Sequence, residues 1–202
     1  MYCLYAYYAF DWNRKLLLVI PATLSISYSL PVFFGGKRLR DFHFIKIFLI
    51  ATCWAVITCT IPYYESIKYQ FDIPHNYRTI FLATIDRGLF IFAITIPFDI
   101  RDRDVDKSNN VQTLATKFSD KSLKRISLIA LIVATIISML LYTQDAHSTL
   151  TLLPIILTYT ITSFLVYVTH QRRSDYFFTG LLDSTMILPL ILFFLYVSYM
   201  SI

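Results

Sequence analysis

Six long apolar runs follow one another along the chain, and they decide what it can fold into. Each is close to the roughly 20 apolar residues that cross the hydrocarbon core of a bilayer as a helix. A membrane β-barrel would show alternating rather than continuous apolarity, and a buried core helix does not explain six consecutive runs. The sequence therefore predicts an all-α fold, a polytopic transmembrane helical bundle that forms a single membrane domain over residues 1–202. The runs lie near residues 16–34, 44–64, 79–98, 126–142, 149–169 and 176–200.

The amino-terminal stretch MYCLYAYYAF is apolar from its first residue but too short to span a bilayer. It has no basic region and no small-residue cleavage site, so it does not resemble a signal peptide. We expect residues 1–15 to be the remnant of a helix, with a re-entrant or interfacial segment as the alternative.

Basic residues are divided unequally between the two sides of the predicted bundle. The loops at 35–43, 99–125 and 170–175 carry twelve Lys and Arg residues, whereas the connections on the other side carry four. By the positive-inside rule, the first group of loops faces the cytoplasm. This pattern predicts an integral protein of the cell membrane, and it accounts for the net charge of +5 without a nucleic-acid partner.

The stretch IPFDIRDRDVDKSNNVQTLATKF at residues 96–118 places four aspartates at the end of the third run. If that run continues as a helix, Asp99, Asp102 and Asp106 stand at i, i+3 and i+7 and share one face. Asp104 points elsewhere. Carboxylates on one face repel one another unless a cation lies between them. Oxygen ligands without His or Cys favour Mg²⁺, so the spacing predicts a magnesium site that shares a phosphorylated substrate.

Bases alternate with these acids, and a solvated loop of mixed charge is therefore the alternative interpretation. The bases are Arg101, Arg103 and Lys107. A second predicted cytoplasmic loop favours the metal site, because YSLPVFFGGKRLRDF places a compact set of donors for a polyanion after a tyrosine at a helix end. The tyrosine is Tyr28 and the donors are Lys37, Arg38 and Arg40.

At these two stretches the sequence resembles the UbiA superfamily of intramembrane prenyltransferases. The family's second aspartate-rich motif is a D-x-x-x-D followed by an Asp-Lys or Asp-Arg step, a short polar turn and a Thr-Leu. The matching residues are Asp102 to Asp106, then Lys107, then Thr113 and Leu114. YSLP followed by Lys37 and Arg38 resembles the family's preceding cytoplasmic loop, with a longer spacing, and LLDSTMILPLI at 181–191 is similar to the final helix of related members.

Members of the family have nine helices, and the six runs resemble the fourth through the ninth in order, loop placement and orientation. The first three helices and the family's first acidic motif, of the N-D-x-x-D-x-x-x-D kind, have no counterpart in this sequence. The resemblance therefore implies the carboxyl two-thirds of such an enzyme. Oligomerisation, or another chain that supplies the missing helices, is the arrangement that would complete it.

In the family, acidic motifs bind the Mg²⁺ ions that hold an isoprenyl diphosphate, and the prenyl group passes to a small, often aromatic acceptor. The resemblance implies the same transferase activity here, with Mg²⁺ as cofactor and the diphosphate as substrate. Asp102 and Asp106 would be the catalytic metal ligands, and Asp99 would be a third ligand by helical geometry. The substrate-binding candidates are Tyr28, Lys37, Arg38 and Arg87.

Asp86 and Arg87 lie in the middle of the third run. A charge there costs roughly 2.5–3.5 kcal/mol to insert, so both side chains should face protein or water. Arg87 lies about 60° from Asp102 on a helix, which favours the cavity. An ion pair between helices, such as Arg87 with Asp183, is the alternative.

Two further functions stay open from the sequence. One is a catalytically inactive membrane protein or partner subunit that keeps the family's fold, because a single acidic motif leaves a diphosphate half neutralised. The other is a small transporter that uses Asp86, Arg87 and Asp183 as a polar path. The runs contain no internal repeat, which disfavours the transporter.

Overall fold

A computed structural model describes residues 12–30, 45–68, 76–108 and 111–200. No strand occurs in these ranges, so the prediction of an all-α fold is confirmed. The predicted helix remnant at 1–15 lies outside the described residues up to position 11. The helices are α1 (Trp12–Ser29), α2 (Ile45–Ala55), α3 (Ile61–Lys68), α4 (Tyr77–Ser108), α5 (Leu114–Lys117), α6 (Asp120–Thr143), α7 (Thr149–Val168) and α8 (Leu188–Met200), with π-helical segments at Val56–Thr60 and Phe177–Leu182.

Four helical stretches of the described residues are long and apolar enough to cross a membrane, which matches the prediction of a membrane helical bundle. They are Ile45–Tyr64, Tyr77–Ser108, Asp120–Thr143 and Thr149–Val168. The first and last of the six predicted runs form shorter apolar helices instead, at Leu18–Tyr28 and Leu188–Met200. The structure therefore supports four spans, and it does not confirm six.

The last apolar run does not form one long helix as predicted, because a turn interrupts it. After the π-helical segment Phe177–Leu182 the backbone turns, with the Thr185 N–H donating to the Leu182 carbonyl at 3.2 Å. Pro189 has no N–H to donate to residue 185, so the helix is interrupted there and resumes as α8. Hydropathy alone does not reveal this division, since the residues on both sides of it are apolar.

Helix α4 is the centre of the bundle. Its 32 residues give it a length of about 48 Å, which exceeds the roughly 30 Å of a hydrocarbon core. Helices α2 and α6 both pack against it, α7 packs against α6, and α8 packs against α7. Phe90 of α4 is fully buried and stacks on Tyr159 of α7 with ring centroids 5.2 Å apart. Ile96 and Ile100 pack with Leu123 of α6, so the acidic end of α4 is anchored by its apolar face.

A polar contact joins α4 to α6 inside this apolar core. The hydroxyl of Ser127 is fully buried and donates to the backbone carbonyl of Ala93 at 2.6 Å. Most other hydroxyls of the bundle bond within their own helix, as Ser163 does to the Tyr159 carbonyl four residues earlier. In lipid a buried hydroxyl needs a partner, so the contact from Ser127 stabilises the α4–α6 pair.

We predict that Ser127→Ala lowers the free energy of unfolding by about 0.5–2 kcal/mol, because it removes the hydrogen bond between α4 and α6. The change in the free energy of unfolding is measured in mixed micelles at increasing concentrations of a denaturing detergent. Ser163→Ala is the matched control, since its hydroxyl bonds only its own helix, and it should cost less. Equal losses in the two variants would show that the contact between helices contributes nothing specific.

Candidate functional site

A cavity of about 530 Å³ lies between α2, α4 and the turn that precedes α8. Its polar lining consists of Lys46, Thr95, Asp99, Arg101, Asp102 and Asp183, and its apolar lining consists of Ile50, Trp54, Ile91, Ile94, Phe98 and Met186. The charged side chains of α4 belong to its last turns, whereas the apolar ones lie up to two turns earlier in the helix. The cavity is therefore charged at one end and apolar at the other.

The acidic residues reach the cavity because α4 continues past Pro97 as an unbroken helix. This continuity was the condition for the prediction that Asp99, Asp102 and Asp106 share one face. Asp99 and Asp102 both line the cavity, whereas Asp106 lies about one turn further along α4 and does not line it. Asp104 is exposed and does not line the cavity either.

Asp99 is paired with Lys46, a residue to which the sequence assigned no function. The Asp99 side chain is 2% exposed, and the Nζ atom of Lys46 lies 3.4 Å from its Oδ1 atom. Lys46 comes from the first turn of α2, so this contact ties α2 to α4 at the charged end of the cavity. The spacing of Lys46, Ile50 and Trp54 at i, i+4 and i+8 is the pattern in the sequence that places them on one helix face.

Asp102 is held by its neighbour Arg101 through two hydrogen bonds. The Nε and Nη2 atoms of Arg101 donate to the two carboxylate oxygens at 2.7 Å and 3.2 Å. The guanidinium carbon lies 5.2 Å from the ring centroid of Phe98 and 5.4 Å from that of Phe178. Arg101 also lies 4.0 Å from a carboxylate oxygen of Asp175. It thereby connects the end of α4 to the chain around the second π-helical segment.

The bases that alternate with these acids lie on helix α4 rather than in a solvated loop, and Arg101 pairs with one of the acids, Asp102. Arg103 donates to the backbone carbonyls of Ala115 and Phe118 and forms an ion pair with Asp120. It therefore holds the short helix α5 against α4. Thr113, from the Thr-Leu of the quoted motif, is the residue immediately before α5, and its N–H donates to the hydroxyl of Thr116 at 3.0 Å.

The charged end of the cavity carries oxygen ligands of the kind that a magnesium ion prefers. Within the described ranges no group of three or more His, Cys, Asp or Glu side chains stands close enough to form a metal site by itself. Magnesium requires only one or two carboxylates when waters and substrate phosphates complete its shell. Asp99 and Asp102 supply two carboxylates to the cavity, and Oδ2 of Asp106 is buried without a hydrogen-bond partner among the described residues.

Tyr28 lies beside a second, smaller cavity of about 300 Å³ between α1 and α2. Lys46, Ile50 and Trp54 line both this cavity and the larger one, so the two adjoin along one face of α2. Tyr28 therefore shares a cavity with Lys46 but does not line the cavity that Asp99 lines. The predicted substrate contacts Lys37 and Arg38 lie outside the described residues.

Arg87 does not line the larger cavity. Its Nε atom donates to the hydroxyl of Thr58 in the first π-helical segment at 3.2 Å, and its guanidinium carbon lies 5.3 Å from the Phe90 ring centroid. In the described part of the chain it forms no ion pair with Asp183, which lines the cavity near Arg101. Its neighbour Asp86 is buried and accepts a hydrogen bond from the Tyr159 hydroxyl at 2.9 Å. The structure therefore separates Arg87 from the acidic face.

Comparisons with models of protein families, with curated proteins and with solved structures find no match to this chain.

Arg101→Lys should loosen the chain next to the second π-helical segment, because lysine keeps the charge but cannot form the paired hydrogen bonds to Asp102. We expect trypsin to cleave after the exposed Arg172 about threefold to tenfold faster in the variant, measured by limited proteolysis in nanodiscs. The exposed Arg125, changed to lysine, is the control and should leave the rate unchanged. Cleavage of both variants at the wild-type rate would show that Arg101 does not hold this segment.

Proposed function

We propose that the protein is a magnesium-dependent prenyltransferase that binds an isoprenyl diphosphate in the larger cavity and transfers its prenyl group to a small acceptor. One observation carries this proposal: the cavity is charged at one end and apolar along the rest. An isoprenyl diphosphate has the same division, with an anionic head and a hydrocarbon chain. The resemblance of the acidic stretch to the UbiA superfamily points to the same substrate class.

Several side chains around the cavity would take roles that follow from their positions. Asp99 and Asp102 would hold the magnesium ion, with Asp106 next to them on the same helix. A bound magnesium ion supplies positive charge that stabilises the departing diphosphate. Ile91 and Ile94 line the apolar part, which would hold the prenyl chain and keep water away from the reacting carbon.

The proposed reaction is a substitution at the first carbon of the prenyl group. The bond between this carbon and the diphosphate oxygen breaks, and both electrons leave with the diphosphate. An electron pair of the acceptor, such as one from an aromatic ring, forms the new bond to carbon, and the acceptor then releases a proton to water. The contribution of the chain is to orient the diphosphate and to exclude water from the allylic cation.

We further propose that the helices correspond to the last six of the nine-helix UbiA bundle. In this arrangement Leu18–Tyr28 and Leu188–Met200 belong to the first and last of the six. The excess of Lys and Arg in residues 99–125, from the end of α4 to the start of α6, supports an orientation with the acidic end of α4 at the cytoplasmic side of the cell membrane. The diphosphate would then be drawn from the cytoplasmic leaflet.

The proposal predicts that the protein in nanodiscs binds geranylgeranyl diphosphate with Mg²⁺ and loses this binding in EDTA. Changing both Asp102 and Asp106 to Asn should weaken binding at least about tenfold, because each carboxylate interaction with a cation is worth more than a neutral hydrogen bond. Isothermal titration calorimetry measures both effects. Asp104→Asn is the matched control, since this exposed aspartate lies in the same motif but away from the cavity, and it should bind as the wild type does.

Absence of binding by folded wild-type protein would overturn the proposed substrate. Binding that survives both EDTA and the double substitution would overturn the role of magnesium and of the two carboxylates. If binding is established, release of diphosphate after addition of aromatic acceptors tests the transfer step. Binding without any release would favour the inactive relative or partner subunit.

A further inference from the structure

We infer that Lys46 is an anion-binding residue of the larger cavity, which exchanges its contact with Asp99 for a phosphate oxygen of the isoprenyl diphosphate. This inference rests on the proposed function, because it assigns a further contact in the same site. Lys46 belongs neither to the acidic motif nor to the basic loop that the sequence singles out. Its assignment comes only from its place between α2 and α4.

Among the described residues two bases line the cavity, Lys46 and Arg101, and Arg101 is already paired with a carboxylate. Arg101 directs its Nε and Nη2 atoms at the two oxygens of Asp102, and its planar group lies near the rings of Phe98 and Phe178. A further carboxylate, Asp175, lies 4.0 Å from its Nη1 atom. Binding a diphosphate through Nε and Nη2 of Arg101 would break both of its hydrogen bonds to Asp102. Arg101 is therefore a poor donor to a ligand and a good support for Asp102.

Lys46 has the opposite properties. Among the residues that the structure describes, its one polar partner is Asp99, at a distance of 3.4 Å that is long for a charged hydrogen bond. An ammonium group has three donors, and the Lys46 side chain is 37% exposed. Because Lys46 lines both adjoining cavities, its Nζ atom can turn toward a ligand without leaving the charged end.

Binding of a metal ion would allow Asp99 and Lys46 to exchange partners. A buried carboxylate such as Asp99 needs a nearby cation, and Lys46 provides it. When a metal ion occupies the acidic face, Asp99 has a second source of positive charge. Lys46 is then free to neutralise a phosphate oxygen at the same end of the cavity. The ion pair thus keeps both groups charged and in place until the substrate arrives.

The same chemistry would recognise the phosphate of an anionic phospholipid, because Lys46 lies near the end of a membrane helix. The cavity favours the isoprenyl diphosphate, since the acids around Lys46 repel a phosphate that arrives without a metal ion. The two sources of phosphate are distinguished by measuring diphosphate binding in nanodiscs of phosphatidylcholine alone and in nanodiscs that also contain phosphatidylglycerol.

The test compares Lys46→Met with Lys124→Met, which removes the same charge from a lysine outside the cavity whose Nζ atom donates to the Tyr167 carbonyl. With saturating Mg²⁺, Lys46→Met should weaken binding of geranylgeranyl diphosphate about tenfold or more and leave binding of the uncharged geranylgeraniol unchanged. Lys124→Met should bind both ligands as the wild type does. Unchanged diphosphate binding in Lys46→Met, or equal loss of both ligands, would overturn the inference.

A second pair of variants separates a contact with the ligand from an effect through Asp99. In the Asp99→Asn background no buried carboxylate needs Lys46, so adding Lys46→Met should weaken diphosphate binding by a further tenfold or so only if Lys46 contacts the ligand. No further loss would overturn the inference and leave the proposed function intact. Displacement of the diphosphate by phosphatidylglycerol in wild type but not in Lys46→Met would assign Lys46 to phospholipid instead. Failure of the wild type to bind the diphosphate would overturn the proposed function itself.

Discussion

A carboxylate that leaves water must keep a cation beside it, and the charged end of this bundle is organised around that requirement. Asp99 is almost completely buried, and Lys46 approaches it from a different helix. Asp102 is held by Arg101, whose guanidinium group extends to the chain around Phe178. Helix α2 and the chain around the second π-helical segment are therefore joined to α4 by charged side chains, while the apolar faces of the helices pack deeper in the bundle.

The sequence predicts the parts of this arrangement that depend on local periodicity. Continuous apolar runs identify the long helices, and the spacing of Asp99, Asp102 and Asp106 places them on one face once α4 is known to continue past Pro97. These inferences need no knowledge of neighbouring helices. The division of the last apolar run was missed, because hydropathy is the same on both sides of the turn before Pro189.

The partners of the charged residues were harder to predict, because they depend on how helices lie against one another. Lys46 looks like an ordinary lysine at a helix end until α2 is placed beside α4. Arg87 has a helical phase that favours the acidic face, yet it lies about four turns from Asp102 and donates to Thr58 of the first π-helical segment. The angular position of a residue on its own helix does not show how neighbouring helices are shifted along their axes.

The second π-helical segment sets the direction of Asp183 on one wall of the cavity. A π turn holds about one residue more than an α turn, so the residues after it are rotated by about 100° relative to a regular helix. Asp183 follows directly after Phe177–Leu182 and therefore takes the direction that its predecessor would have in an unbroken α-helix. The chemistry on this wall of the cavity is thus set by the count of residues in one turn, and a single insertion or deletion there would change it without altering any side chain.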